Sequence, residues 1–284
     1  GRGARMKSRK AAMDELLRIA DAVTKVVLAH YEASSFSVEL KGPNDPVTTA
    51  DKEANEALLQ ALQLSFPGVP IVAEESDPST FGAFATAPHA FFVDPIDGTK
   101  EFIGKHGDFS TMIGLVEDGV PILGVVAAPA LQRVWFGGDG IGAFCRVGGS
   151  DVPLTPSRIT ALDDARLVLS RSHRTPEGDS RIRAFGLRHL IPRGSAGIKA
   201  VLVAEGEADL FIHPSRAGKR WDTCAPEAIA VAAGCAMTDT DGNRFDYRTT
   251  DIDNDRGIVT ANPALHATVL ARFKALREAQ VIRS

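Results

Sequence analysis

Apolar residues follow helical spacing at the start of this chain and form short strand-like runs further on. The first set predicts one long amphipathic helix and consists of Leu16, Ile19, Ala20, Val23, Val26, Val27 and Tyr31. A loop rich in Gly, Pro, Asn and Asp is expected at residues 42–46, followed by a second helix at about residues 49–65. Thr48, with Asp51 three residues later, marks the start of that helix.

Strand signals dominate the middle of the chain. Apolar runs bounded by turn residues predict strands at 69–73, 90–94, 109–117, 121–128 and 133–137. Asp118-Gly119 predicts a hairpin between two of them. Later, strands near 166–170 and 208–212 alternate with helices near 177–186, 195–205 and 224–233. We therefore expect a mixed α+β and α/β fold, with an N-terminal α+β half at residues 1–150 and a C-terminal α/β half at residues 151–284.

Composition narrows the class of protein. The 284 residues suit one large domain or two smaller ones, and 44% apolar with 24% charged residues is ordinary for a globular protein. A net charge of −4 does not favour binding to nucleic-acid polymers, which are themselves anionic. No apolar run has the length of a membrane span or the pattern of a signal peptide. Three cysteines without zinc-site spacing favour a reduced cytoplasmic setting. The residues before Met6 are either a cloning remnant or a natural extension.

Two carboxylates follow a predicted buried strand. Pro95 is expected to end this strand at Asp94, and Asp97 and Gly98 come directly afterwards. Carboxylates beside a glycine that frees backbone N–H groups suit a metal ion that holds a phosphate. A solvated turn has the same composition, so both interpretations stand at this point.

Other acidic residues occupy comparable places. Glu74-Glu75 ends a strand-like run, while Asp51 and Asp222 lie near helix starts, where capping is their simplest role. Together with Asp94 and Asp97 they could form a carboxylate cluster. Such a cluster would require cations, because like charges at short distance repel one another. Their positions along the chain permit this convergence without showing it.

Four segments in order resemble the signatures of the inositol monophosphatase superfamily. They are residues 45–51 (DPVTTAD), 71–76 (IVAEES), 93–99 (VDPIDGT) and 221–223 (WDT). Members of this superfamily are magnesium-dependent, lithium-sensitive phosphatases. The resemblance therefore implies a layered α-β-α-β-α sandwich, phosphatase activity and two or three Mg²⁺ ions.

The resemblance also implies a role for each matching residue. The expected metal ligands are Glu74, Asp94, the backbone carbonyl of Ile96, Asp97 and Asp222. Asp51 and Thr99 are expected to orient and deprotonate the attacking water. The N–H groups of Gly98 and Thr99 are expected to hold the phosphate, with Asp222 also facing the substrate. Glu75 is expected to support the metal ligands from behind.

Segments after the third signature resemble the 3'(2'),5'-bisphosphate nucleotidase branch. They are Lys100-Glu101-Phe102 and residues 169–173, 194–199 and 218–227. This likeness implies that the substrate is adenosine 3',5'-bisphosphate, a by-product of sulfur metabolism, which loses its 3'-phosphate to give AMP. Ser170, His173, Ser195 and Lys199 are the expected nucleotide contacts, with His173 and Lys199 serving the second phosphate.

Simpler interpretations and other functions compete with this assignment. By itself His173 is typical of a surface loop and Lys199 of a solvated helix, and Ile198 departs from the polar residue common in this branch. An inositol-phosphate or sugar-phosphate phosphatase is the alternative enzyme. A non-catalytic nucleotide- or metal-binding regulator is disfavoured because every expected carboxylate and Thr99 are retained. The expected partner is a small phosphorylated nucleotide, and the expected assembly is a monomer or a homodimer.

Overall fold

The computed structural model describes residues 6–34, 36–43 and 45–282. The residues before Met6, whose origin the sequence leaves open, lie outside this part of the chain. Helices and sheets are stacked in five layers, in the order helix, sheet, helix, sheet, helix. The expected α-β-α-β-α sandwich is therefore confirmed.

The secondary structure of the described ranges comprises seven helices and fourteen strands. The helices are α1 (Arg9–Ala33), α2 (Thr49–Ser65), α3 (Thr99–Ile103), α4 (Pro176–Ala184), α5 (Ala196–Ala204), α6 (Arg220–Ala232) and α7 (Pro263–Glu278). The first nine strands are β1 (Val38–Gly42), β2 (Asp45–Thr48), β3 (Ile71–Ala73), β4 (His89–Asp97), β5 (Ser110–Glu117), β6 (Val120–Ala128), β7 (Arg133–Gly138), β8 (Gly142–Val147) and β9 (Ser150–Pro153). The other five are β10 (Arg166–Ser170), β11 (His189–Arg193), β12 (Leu210–His213), β13 (Ala236–Thr238) and β14 (Ile258–Ala261).

Helices α1 and α2 pack together over one face of the larger sheet. Thr48 and Asp51 form a capping box at the start of α2, as the sequence predicted. Within the loop expected at residues 42–46, Gly42 belongs to β1 and Asp45 and Pro46 belong to β2 of an antiparallel hairpin, so the expectation was wrong for these residues, while residue 44 lies outside the described ranges. Strand β1 is exposed along nearly its whole length, and it therefore lacks the alternating apolar signal by which a strand is recognised.

The larger sheet has seven strands in the order β3-β4-β5-β6-β7-β8-β9. Strand β3 is parallel to β4, and the remaining pairs are antiparallel. Strand β4 does not end at Asp94, as expected, but continues to Asp97 through a bulge opposite β5. Pro95 lies within this bulge, where its missing N–H group costs no regular ladder hydrogen bond.

Helix α6 lies between the two sheets and touches the backbone of the larger one. Gly114 and Gly124 face each other on β5 and β6 directly beneath it. A Cβ atom at Gly114 would lie 2.4 Å from Cys224 Sγ, and one at Gly124 would lie 2.1 Å from the carbonyl oxygen of Ala225. The two glycines therefore allow α6 to approach the sheet more closely than any side chain would permit.

The smaller sheet has five strands in the order β11-β10-β12-β14-β13. Strands β11, β10 and β12 are parallel, and β14 runs antiparallel to both of its neighbours. Helices α4 and α7 cover the outer face, where the rings of Phe185 and Phe273 pack edge to face with centroids 4.6 Å apart. None of the helices in the described part of the chain combines the length and the apolar character that a bilayer crossing requires.

Candidate active site

Three carboxylates from three different elements meet at one end of the larger sheet. Glu74 follows β3, Asp94 lies in β4, and Asp222 lies in the first turn of α6. Each offers an oxygen atom within 4.8 Å of the other two. The parallel pairing of β3 with β4 brings Glu74 beside Asp94, and the Glu74 N–H donates to the carbonyl of Val93 at 3.2 Å. These three residues are called the carboxylate trio below.

Asp222 lies within the first turn of α6, which begins earlier than the sequence predicted. The helix starts at Arg220 rather than near residue 224, since the Asp222 carboxylate caps it by accepting the Lys219 N–H at 2.8 Å. A Cβ atom at Gly218 would lie 2.0 Å from Asp222 Oδ2. The turn before α6 therefore closes tightly around this carboxylate.

Electrostatic repulsion within the trio favours a bound cation. Burial, together with the charges of neighbouring carboxylates, raises the pKa of Asp94 and of Asp222 well above the usual range. Burial also raises the pKa of Glu74, although the nearby ammonium of Lys41 opposes this shift. A divalent cation would keep all three groups ionised. A donor set made entirely of carboxylate oxygens fits a hard cation such as Mg²⁺.

Asp97 lines the same cleft but is not a member of the trio. Its Oδ2 atom accepts hydrogen bonds from the Ser195 hydroxyl and from the Gly197 N–H, the latter at 3.0 Å. Burial raises the pKa of Asp97, while the Ser195 hydrogen bond opposes this shift. Next to it, the Ile96 N–H donates to Asp94 Oδ1 at 3.0 Å, which orients that member of the trio.

Asp51 and Thr99, the pair that the family resemblance implied, lie within hydrogen-bonding distance of each other. Thr99 Oγ1 donates to Asp51 Oδ1 at 3.0 Å and also lies 3.3 Å from the carbonyl oxygen of Ile96. Asp51 is fully buried, and burial raises its pKa despite its hydrogen bonds to Thr48 and Thr99. Gly98 adopts a left-handed φ of 96°, which lets the chain turn from β4 directly into α3.

Lys41 on the β1–β2 hairpin was not identified from the sequence. Its Nζ atom lies 2.7 Å from Glu75 Oε1 and 3.2 Å from Glu74 Oε1. Burial alone would lower the pKa of Lys41, but the charge of Glu74 and the hydrogen bond to Glu75 outweigh it and raise that pKa. Burial, with the nearby charge of Glu74, raises the pKa of Glu75 to about 7. Lys41 thus contacts both Glu75 and Glu74, of which only Glu74 belongs to the trio.

A cleft of about 550 Å³ opens beside the trio and reaches the smaller sheet. The four expected nucleotide contacts, Ser170, His173, Ser195 and Lys199, all line it. Ser170 Oγ accepts the N–H of His173 at 2.9 Å, which shapes this loop. Lys199 is only 4% exposed, and burial lowers its pKa although nearby carboxylates oppose the shift.

Three further residues that line the cleft, Arg174, His213 and Arg216, were not identified from the sequence. Glu101, which also lines it, is buried and accepts a hydrogen bond from the Ser172 hydroxyl beside Lys199. Burial and the charge of Lys199 lower the pKa of His213 to about 4. Glu101 belongs to the segment Lys100-Glu101-Phe102, which had already indicated the nucleotidase branch.

Comparison with known proteins agrees with this geometry. The inositol monophosphatase family model matches residues 10–278. A 3'(2'),5'-bisphosphate nucleotidase from Salmonella typhimurium is 34% identical over 243 residues, which cover 83% of this chain and 93% of the relative. A histidinol-phosphatase from Mycobacterium tuberculosis is 33% identical over 264 residues, which cover 91% of this chain and 96% of the relative.

Solved structures show the same architecture. An inositol monophosphatase from Thermotoga maritima superposes with a TM-score of 0.80 at 26% identity and covers 95% of this chain and 99% of its own. CysQ from Bacteroides thetaiotaomicron, a bacterial member of the inositol monophosphatase family, gives a TM-score of 0.73 at 27% identity and covers 90% of this chain and 98% of its own. With the family model matching nearly the whole chain, this protein belongs to the inositol monophosphatase family.

Proposed function

We propose that this protein is a magnesium-dependent phosphatase that removes the 3'-phosphate of adenosine 3',5'-bisphosphate to give AMP and phosphate. Membership of the family supports phosphatase chemistry, and the carboxylate trio supports a divalent cation. Asp97 and the carbonyl of Ile96 would complete the ligand set for two or three ions. Bound Mg²⁺ would supply Lewis acidity, which lowers the pKa of a bound water and neutralises charge on the phosphate ester.

Thr99 and Asp51 are proposed to prepare the attacking water. The Thr99 hydroxyl donates a hydrogen bond to Asp51, so its oxygen is free to accept a hydrogen bond from a water molecule. When Thr99 takes a proton from that water, it can pass its own proton on to Asp51. Burial raises the pKa of Asp51, which makes it a better proton acceptor than a solvated carboxylate. The phosphate would be held by the N–H groups of Gly98 and Thr99, with Asp222 beside the leaving oxygen.

Water is proposed to attack phosphorus directly. Single turnover in isotopically labelled water should place the label in the released phosphate, and acid-quenched enzyme should carry no covalent phosphate. Label in the 3'-hydroxyl of AMP would contradict attack at phosphorus. A phosphorylated side chain would contradict the direct route.

The buried Lys199 in the cleft is the observation that supports a bisphosphate substrate. Arg174 and Arg216 line the same space, although each also pairs with a carboxylate, Asp179 and Asp253 respectively. Burial lowers the pKa of Lys199 because it disfavours the charged ammonium, and a bound anion would restore that charged form. The second phosphate of a bisphosphate would be such an anion, whereas inositol 1-phosphate has no second phosphate. The nucleotidase relative at 34% identity supports the same substrate.

Histidinol phosphate is a second candidate substrate. It is favoured by the histidinol-phosphatase relative, which is 33% identical to this chain and is covered by the match over 96% of the relative's own length. Histidinol carries an ammonium group, and buried Glu101 in the same cleft is an anionic partner for it. Inositol and sugar phosphates form a third group, supported by the Thermotoga maritima structure.

Phosphate release with Mg²⁺ and four substrates distinguishes these candidates. The substrates are adenosine 3',5'-bisphosphate, histidinol phosphate, inositol 1-phosphate and fructose 1,6-bisphosphate. We expect the first to have the highest kcat/KM and added lithium to inhibit its turnover. A higher kcat/KM for another ester would overturn the nucleotide assignment but leave the phosphatase. Unchanged turnover in Asp94→Asn would overturn the metal mechanism itself.

A further inference from the structure

Asn254 binds the turn that precedes α6, and the first residue of α6 itself, with every polar group it has. Its N–H donates to the carbonyl of Gly218 and its own carbonyl accepts the Ala217 N–H, both at 2.9 Å. Its Nδ2 atom donates to the carbonyls of Ala217 (3.1 Å) and Lys219 (2.7 Å), and its Oδ1 atom accepts from Arg220. Asn254 is 2% exposed, so water would not readily replace a lost hydrogen bond.

The turn that Asn254 holds is the one that orients Asp222. The Lys219 N–H donates to Asp222 Oδ2 at 2.8 Å, and Gly218 approaches the same oxygen so closely that a Cβ atom would lie 2.0 Å away. Gly218 has a left-handed φ of 64°, so this turn has a conformation that must be maintained by its contacts. A shift of the turn therefore displaces the donor that aims the carboxylate.

We propose that Asn254 is a positioning residue for the cation site, which holds Asp222 toward Glu74 and Asp94 through the turn at residues 217–219. The inference rests on the proposed function, because it requires Asp222 to bind a cation. Groups that orient a metal ligand typically change metal affinity by about 10–100-fold when they are removed. Asn254 contacts the turn rather than Asp222 itself, so we expect its removal to weaken metal affinity by an amount at the lower end of that range.

Asn262 offers a matched control within the same chain. Its Nδ2 atom also donates to two backbone carbonyls, those of Ser157 (3.1 Å) and Ile159 (2.7 Å), and its Oδ1 atom accepts the Leu265 N–H at 2.9 Å. It caps α7, which covers the outer face of the smaller sheet, and it is not among the residues that line the cleft. Removing this amide costs comparable hydrogen bonding without affecting Asp222.

The test is Mg²⁺ affinity, measured by calorimetric titration of the full chain as wild type, Asn254→Ala and Asn262→Ala. The rise in melting temperature on adding Mg²⁺ is an independent readout that requires no turnover. We expect Asn254→Ala to bind Mg²⁺ about tenfold more weakly, with a smaller rise in melting temperature. Asn262→Ala should keep the wild-type affinity. Asn254→Ser retains one hydroxyl donor, should give an intermediate affinity, and serves as the test if the alanine variant does not fold.

The outcomes separate this inference from the function on which it rests. Wild-type Mg²⁺ affinity in the Asn254 variants would overturn the positioning role and leave the proposed function intact. An equal loss of affinity in Asn262→Ala would also overturn it, because the effect would then follow general destabilisation. Failure of the wild-type protein to bind Mg²⁺ would overturn the proposed function and this inference with it.

Discussion

Replacing Thr99 by alanine removes the hydroxyl that connects the proposed attacking water to Asp51. That hydroxyl lies 3.0 Å from Asp51 Oδ1. A positioned group that accepts a proton typically contributes about 10²–10⁴-fold to the rate. We therefore expect kcat to fall by about 100–10,000-fold, equivalent to about 2.7–5.4 kcal/mol in the activation barrier. The expected loss of folding stability is about 1 kcal/mol, the net value of one hydrogen bond.

Two variants separate the chemical effect of Thr99→Ala from a structural one. Thr99→Ser keeps the hydroxyl and should retain kcat within about tenfold of the wild type, because the proton can still be passed on. Thr238 lies on β13 and does not line the cleft; its hydroxyl, like that of Thr99, has two partners, the carbonyl of Asp239 and His266 Nε2, both at 2.8 Å. Thr238→Ala should lose comparable stability and keep the wild-type kcat, since this residue is remote from the cleft.

The assay is steady-state phosphate release at saturating Mg²⁺, with KM and kcat determined separately. Loss confined to kcat is expected, because Thr99 is proposed to act on the water rather than to bind the nucleotide. Thermal unfolding of each variant gives the stability comparison. A Thr99→Ala enzyme whose kcat is within about threefold of the wild type would refute the relay, since a proton acceptor contributes far more than this.

Three more outcomes follow from packing, burial and charge. Gly124→Ala would place a Cβ atom 2.1 Å from the carbonyl of Ala225, and urea denaturation should show a loss of about 1–3 kcal/mol. Gly42→Ala is the control and should change little, because its Cβ atom would meet no atom of the described residues within 4 Å. Burial raises the pKa of Glu227 from 4.5 to about 7, so the free energy of unfolding should fall by about 3 kcal/mol as pH rises through this interval. Denaturation at both ends of the interval should show that Glu227→Gln lacks this contribution, and an unaltered pH dependence would contradict it. Lys199→Met should raise KM about tenfold or more for adenosine 3',5'-bisphosphate but not for inositol 1-phosphate, and equal rises would exclude a role with the second phosphate.

The sequence predicted structural features correctly where the interacting residues lie within a few positions of each other along the chain. The capping box of Thr48 and Asp51 is such a case, because its partners are three positions apart. Helix α7 had an equally local signal that the prediction did not use. Asn262 caps this helix and Pro263 occupies its first position, a combination that indicates a helix start.

Lys41 and Asn254 could not be found in the same way, because their contacts arise only in the folded chain. Lys41 meets Glu74 and Glu75 because the β1–β2 hairpin folds over the end of the larger sheet. Asn254 lies in an irregular segment, and its neighbours in sequence give no indication that it binds the turn beside Asp222. The layered architecture likewise followed from the family resemblance, since periodicity alone indicated only a mixture of helices and strands.

The bulge in β4 decides on which face of the larger sheet Asp97 lies. In a regular strand, side chains three positions apart point to opposite faces of the sheet. Here the three steps from Asp94 to Asp97 face only two steps on β5, and both aspartates line the cleft. A regular strand of the same length would instead turn Asp97 toward α1 and α2. A change that straightened β4 at Pro95 and Ile96 would therefore separate the two aspartates without replacing either of them.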